Sequence, residues 1–159
     1  MILYHGSNIE IHEIDFSKSK LGKDFGCGFY LSPTLEQAQA MAEKKALLLG
    51  GEPIITSFEF DIEAALADKG ISFKSFECYS TEWGLFIQKN RENKTRRQVH
   101  PYDIVYGPIA NDTVGYQIRR LQANIINLEK FTEELKLMGG ETYQYFFGTE
   151  KSLKFLKKL

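Results

Sequence analysis

The sequence predicts an α+β fold. Short apolar runs of strand length alternate with amphipathic stretches of helical length, without internal repeats or low-complexity tracts. Glycine pairs and a Gly-Pro step punctuate these segments where helices and strands should end. The 159 residues, 43% hydrophobic and 13% aromatic, match one domain spanning 1–159 with a sizeable core.

In order along the chain, Ile2–His5 is the first strand candidate, and Phe25–Leu31 the second, with Gly26 and Gly28 letting the backbone bend or approach a ligand. Ser32-Pro33 then reads as an N-cap and first-turn proline. Leu35, Ala38, Met41, Ala42 and Ala46 recur at helical spacing, and Gly50-Gly51 ends the segment. Pro53–Asp61 alternates through Ile55, Phe58 and Phe60 as a strand does, and Ser80–Arg91 is a helix with Trp83, Phe86 and Ile87 on one core-facing stripe. After the loop NRENKTRRQVHP, DIVYGPIAND reads as a strand running into a Gly-Pro turn. There Asp112 is expected to cap a helix over Thr113–Ala123. Leu128–Met138 is an amphipathic helix closed by Gly139-Gly140. TYQYFF is a strand by its aromatic and β-branched content, and a last helix starts near Thr149, its lysine-rich end KSLKFLKKL placing cations at a helix C-terminus.

Charge excludes some partners. Twenty basic and 21 acidic side chains nearly cancel, so no overall field draws the chain to nucleic acid or to a membrane surface. Cys27 and Cys78 are too few for a disulfide framework, and no signal peptide or membrane span is visible, which makes the cytoplasm the expected compartment. Delivery as an effector by a route that ignores classical signals would leave no trace in the sequence. Cys27 reads as a small filler between glycines, and His12 and His100 fall at no metal-ligand spacing, so no metal site is expected. The basic run Lys89, Arg91, Lys94, Arg96 and Arg97 reads as a solvated loop.

The chemistry concentrates in two short stretches, LYHGS and GCGFYLS. His5 and Tyr30 each end an apolar run, and neighbouring strands would turn both into one cleft. Gly6 would expose backbone N–H and C=O to a flat ligand bearing an amide. Tyr30 would offer a ring face for stacking, and His5 and Ser7 hydrogen bonds to a sugar hydroxyl or phosphate.

These segments, followed by TYQYFF, resemble in order the three motifs of the ADP-ribosyltransferase superfamily, in the His-Tyr-Glu branch that includes diphtheria toxin and the poly(ADP-ribose) polymerases. Over nearly its full length, through YHGS, GFYLS, DIVYGPIAND and YQYFFGTEKSLKFL, the chain is also similar to a bacterial domain-of-unknown-function family of the DUF3990 type. The resemblance implies a split β-sandwich with flanking helices, and NAD as substrate. It implies that His5 bonds the adenosine-side ribose, that the Gly6 backbone holds the nicotinamide carboxamide, and that Tyr30 stacks on the nicotinamide ring. The catalytic set would be His5, Tyr30 and Gln144, with His5, Gly6, Ser7 and Tyr30 contacting NAD. The expected activity is mono-ADP-ribosylation of an acceptor, expected to be a protein; the alternative is a non-catalytic NAD or ADP-ribose binding module.

Two positions depart from the superfamily pattern. Gln144 replaces glutamate, and its amide can hold a ribose hydroxyl but carries no negative charge to stabilise an oxocarbenium-like state. That loss corresponds to about 2–4 kcal/mol of transition-state stabilisation, roughly a hundredfold or more in rate. Glu141 would lie on the opposite strand face, Glu150 at a helix start, and Asp112 is the remaining candidate for a supporting carboxylate. In the helix after Tyr30, Ala38 and Met41 stand where the polymerases carry a hydroxyl residue and a second aromatic.

Overall fold

A computed structural model describes residues 1–137 and 142–159. Two sheets organise it. Strands β1 (Ile2–Ser7) and β3 (Ile54–Phe60) pair antiparallel, and β7 (Leu156–Lys158) completes a three-stranded sheet in the order β1-β3-β7. Strands β2 (Phe29–Leu31), β4 (Phe73–Ser75), β5 (Ile104–Pro108) and β6 (Tyr143–Phe147) form the second, in the order β2-β6-β5-β4, with only β4 and β5 parallel. Among the described residues six α-helices surround them: α1 (Leu35–Leu49), α2 (Ile62–Ala67), α3 (Thr81–Glu92), α4 (Asp112–Gln122), α5 (Leu128–Lys136) and α6 (Glu150–Leu153). The chain is therefore mixed α and β, as its patterning requires.

Period-2 geometry divides the core in two. From the first sheet Leu3, Phe58 and Phe60, and from the second Phe29, Leu31, Ile104, Tyr145 and Phe147, form one buried layer between the sheets. The opposite face of the second sheet, with Val105 and Phe146, is covered by Trp83 and Ile87 of α3, Val114 and Ile118 of α4, and Phe131 and Leu135 of α5. Trp83 and Ile87 are core as expected, and Phe86 is partly buried beside them.

Several elements differ from the sequence reading. Phe25–Gly28 is a loop and only Phe29–Leu31 is strand, because Gly26 takes a positive φ of 95°. Ser32 does not cap α1: its hydroxyl closes a local turn onto the N–H and C=O of Thr34, and Thr34 occupies the cap position. In α1 only Ala38 and Ala42 are buried, whereas Leu35 and Met41 are about half exposed at 48% and 46%. In β3 the residues sharing the core face are Thr56, Phe58 and Phe60, so Ile55 points the other way.

Asn111, not Asp112, caps α4, its side chain accepting the Val114 N–H. The last helix is one turn long, and the lysine-rich end returns as β7 because Phe155 and Leu156 pack onto the layer between the sheets. The Thr149 hydroxyl donates to Asp103 at 2.9 Å instead of capping that turn. The basic run is not all loop. Lys89 and Arg91 lie in the last turn of α3, and Arg96 donates to the Ser19 carbonyl at 2.8 Å. Met138, the Gly139-Gly140 stop and Glu141 lie outside the described residues.

No helix among the described residues is long and apolar enough to cross a membrane.

Candidate functional site

The two sheets part at one point. Met1 and Phe60 exchange backbone hydrogen bonds of 2.9 and 2.7 Å, so along the antiparallel register Leu3, His5 and Ser7 turn their N–H and C=O toward β3, while Tyr4 and Gly6 turn theirs away. Tyr4 meets Ser32 there, exchanging bonds of 2.9 and 2.7 Å in an isolated bridge between the sheets. Two residues on, the ladder has stopped. The Gly6 carbonyl accepts from Lys45 Nζ at 2.8 Å, and the Gly6 N–H has no partner among the described residues. Ser7, the last residue of β1, is buried.

Gly6 owes its identity to α1. A Cβ at this position would lie 2.0 Å from the Ala38 carbonyl oxygen and 2.9 Å from the Ala42 nitrogen. Ala38 and Ala42, one helical turn apart, are small on the stripe that meets β1, and Lys45 continues that stripe toward the open edge. The position where the superfamily pattern has a hydroxyl residue, Ala38, is thus filled by strand–helix contact, and Met41 faces outward.

His5 projects from the other face of β1, toward the layer between the sheets. Its ring stacks on Phe29 with centroids 4.7 Å apart and planes 20° from parallel. Its Nδ1 lies 2.8 Å from the Tyr30 carbonyl oxygen, which can only accept, so Nδ1 carries the proton and Nε2 presents a lone pair. Burial, reinforced by the charges of Lys45 and Lys23, lowers the His5 pKa to about 4. At neutral pH the ring is an uncharged acceptor.

Tyr30 lies opposite Phe146 in the β2–β6 register, and the two rings are 5.2 Å apart, with Phe25 stacked at 6.3 Å. Its hydroxyl donates to the Gly26 carbonyl at 2.7 Å and accepts from the Phe25 N–H at 3.1 Å, and burial raises its pKa well above the usual value. The preceding loop is clamped from outside. Asp24 receives Arg91 Nε and Nη2 at 2.8 and 2.7 Å and the Ala110 N–H at 3.0 Å, and His100 Nε2 meets the Phe25 carbonyl at 2.8 Å.

Gln144 shares the Tyr30 face of the second sheet, being two residues from Phe146 on β6. Its backbone pairs with Gly107, and its half-buried side chain has no partner among the described residues. Asp112 is the first residue of α4 and Glu150 the first of α6, an exposed position. Two surface clefts lie elsewhere. One of about 220 Å³ is lined by Phe16, Ser17, Cys27, Arg96, Gln98 and Gly148, and one of about 680 Å³ by the Met1 end and the turns after β3 and α6.

A family model described as "Protein of unknown function (DUF3990)" matches residues 1–158. The chain belongs to this family. No curated protein and no solved structure matches it.

Two residues of this DUF3990 chain escaped the sequence reading. Asp24 carries a buried carboxylate that orders the loop before Tyr30, and its only local trace is an acid placed directly before Phe25-Gly26. Lys45 is a cation on the same stripe as Ala38 and Ala42, and that spacing marked it as facing β1.

Proposed function

We propose that this DUF3990 chain binds NAD at the opening between β1 and β2 and acts as a mono-ADP-ribosyltransferase, cleaving the nicotinamide–ribose bond and passing ADP-ribose to an acceptor, in the first instance a protein. The observation that carries the reading is the pair of unengaged groups there, the Gly6 N–H and the Nε2 lone pair of a neutral His5; the Tyr30 ring does not share the His5 face as the sequence suggests, because strand alternation turns it to the opposite face of β2, where it packs on Phe25 and Phe146. The Gly6 N–H would donate to the carboxamide oxygen and His5 Nε2 would accept from a ribose hydroxyl. A layer of side chains between two sheets, with β2 beside β6, supports an ADP-ribosyltransferase-like split sandwich, and it sets Tyr30 and Gln144 on one face.

Cleavage builds positive charge on the ribose as neutral nicotinamide leaves. The Gln144 amide oxygen can accept from the 2′-hydroxyl and orient the sugar, but it supplies only a dipole where a carboxylate would supply charge. Slow turnover follows. The same residue favours a second reading, a non-catalytic NAD or ADP-ribose binding module. Incubation with NAD labelled in the adenylate part, following free nicotinamide and label transfer to lysate protein, separates the two. Release with transfer supports the transferase, and binding without release supports the module. Absence of both at millimolar NAD, in folded protein, refutes both readings.

A further inference from the structure

We propose that His100 is an acid-operated latch on the loop 25–28: its neutral ring holds the loop shut, and a second ring proton releases it while the two sheets stay folded. The two nitrogens of the ring have opposite duties. Nε2 lies 2.8 Å from the Phe25 carbonyl oxygen, which can only accept, so Nε2 carries the proton. Nδ1 accepts the Tyr102 backbone N–H at 3.2 Å and lies 3.0 Å from Gln98 Nε2, which also donates to the Tyr102 carbonyl. A proton added at Nδ1 would point at the Tyr102 N–H, and a main-chain amide cannot turn over as a side chain can. Gln98 could turn its oxygen to Nδ1, but that oxygen would then face the Tyr102 carbonyl.

The surroundings refuse the charge as well. Phe86 of α3, Tyr102 and Phe146 of β6 box the ring at centroid distances of 4.9, 5.6 and 5.7 Å. Lys89 of α3 adds repulsion, and the carboxylate next to the loop, Asp24, is already held by Arg91 at 2.7 Å. The ring takes the proton more readily once it has left this box, so acid shifts the loop toward release. The shut loop also carries a cost of its own. Gly26 holds a φ of 95°, and behind it Asn90 Oδ1, in a residue only 2% exposed, has no donor among the described residues; a Cβ on Gly26 would lie 3.0 Å from it. Displacing the loop removes that cost. Release has a defined reach. The Asp24 contacts to Arg91 and to the Ala110 N–H anchor the start of the loop. Beyond them, Phe25 and Gly26 hold the Tyr30 hydroxyl, and Cys27 and Gln98 line the 220 Å³ cleft, so opening frees the ring at the middle of β2 and widens that cleft.

The latch does not depend on what the protein binds, and its test needs no ligand. Amide hydrogen exchange, corrected for the intrinsic effect of pH, is followed by NMR at about pH 7.5 and about pH 4.5 in wild type, His100→Gln and His100→Ala. A glutamine amide reaches where Nε2 stands and donates to the Phe25 carbonyl without titrating. In wild type the protection of the Phe25 and Gly26 amides should fall by about tenfold or more at the lower pH, staying below that of Phe58 at the centre of β3. In His100→Gln it should hold within about twofold, and in His100→Ala it should be low at both pH values. His5 and the carboxylates titrate in all three proteins, so the difference belongs to His100. An equal fall in wild type and His100→Gln, or no fall in wild type, overturns the latch. Loop amides no less protected than Phe58 at the lower pH overturn it too, because the loop then opens only with the whole fold. Wild type against His100→Gln decides the matter even where His100→Ala fails to fold.

Discussion

Gly6→Ala tests the geometry on which the site depends. The added methyl would lie 2.0 Å from the Ala38 oxygen and 2.9 Å from both the Ala38 carbon and the Ala42 nitrogen. Favourable carbon contacts begin near ~3.5 Å, so α1 must retreat by roughly 1 Å or more. All three obstructing atoms are helix backbone, which cannot swing aside as a side-chain end can. Overpacking of a well-filled contact costs typically 1–3 kcal/mol, and a clash with backbone belongs at the upper end, about 3 kcal/mol. For a chain of this size that corresponds to a Tm about 6–12 °C lower, read by differential scanning calorimetry. Retreat of α1 also lengthens the Lys45–Gly6 contact and the 2.9 Å bond from Gln37 to the Tyr143 carbonyl, so NAD affinity should fall with stability. Adding Ala38→Gly should not rescue the variant, because the obstructing Ala38 atoms are its carbonyl group. A Tm within about 1 °C of wild type, or a full rescue by Ala38→Gly, would refute the account of how β1 and α1 meet.

Asp24→Ala strands the buried Ala110 N–H and leaves Arg91 without its counter-ion, so urea denaturation should show a loss of about 3 kcal/mol; a loss below about 1 kcal/mol would mean that the loop before Tyr30 is held by something else. Between pH 6.5 and about 4 the unfolded chain takes up a proton at His5 that the folded protein, with Lys45 and Lys23 nearby, refuses, so stability falls as pH drops through that window, by up to about 3 kcal/mol from this residue. His100, also lowered by burial, contributes with the same sign. His5→Asn should flatten the dependence, and parallel curves for variant and wild type would contradict a neutral His5. Gln144→Glu should hold or raise nicotinamide release, whereas Gln144→Ala should leave NAD affinity within about a few-fold while cutting release much further, since the contact matters mainly in the transition state. An inactive Gln144→Glu beside an active wild type would show that the amide donates a hydrogen bond that a carboxylate cannot.

What the sequence by itself determined is local. The helical stripe of Trp83 and Ile87, the alternation of Phe58 and Phe60 and the aromatic run of β6 are written in periods of 3.6 and 2, and those periods survive because each element buries one face. The stop at Gly50 is equally local, a glycine at positive φ closing α1. Periodicity places His5, Gly6, Tyr30 and Gln144 on strands but does not single them out, which only the resemblance of their motifs does. Tertiary structure decided the rest. Strands β4 and β7 are three residues each, too short for any period, and exist because β5 and β3 offer them an edge. Asn111 rather than Asp112 caps α4, a one-residue difference between two similar side chains that the sequence alone does not resolve. Gly6 reads as a ligand position in sequence, yet its lack of a side chain is demanded by Ala38, 32 residues away along the chain and in direct contact across it. Arg91 reads as loop charge, and becomes structural only because folding brings it to Asp24 across 67 residues. Local patterning encodes which face of each element is buried, whereas the identity of what lies against that face depends on contacts between distant segments, which no window of sequence contains.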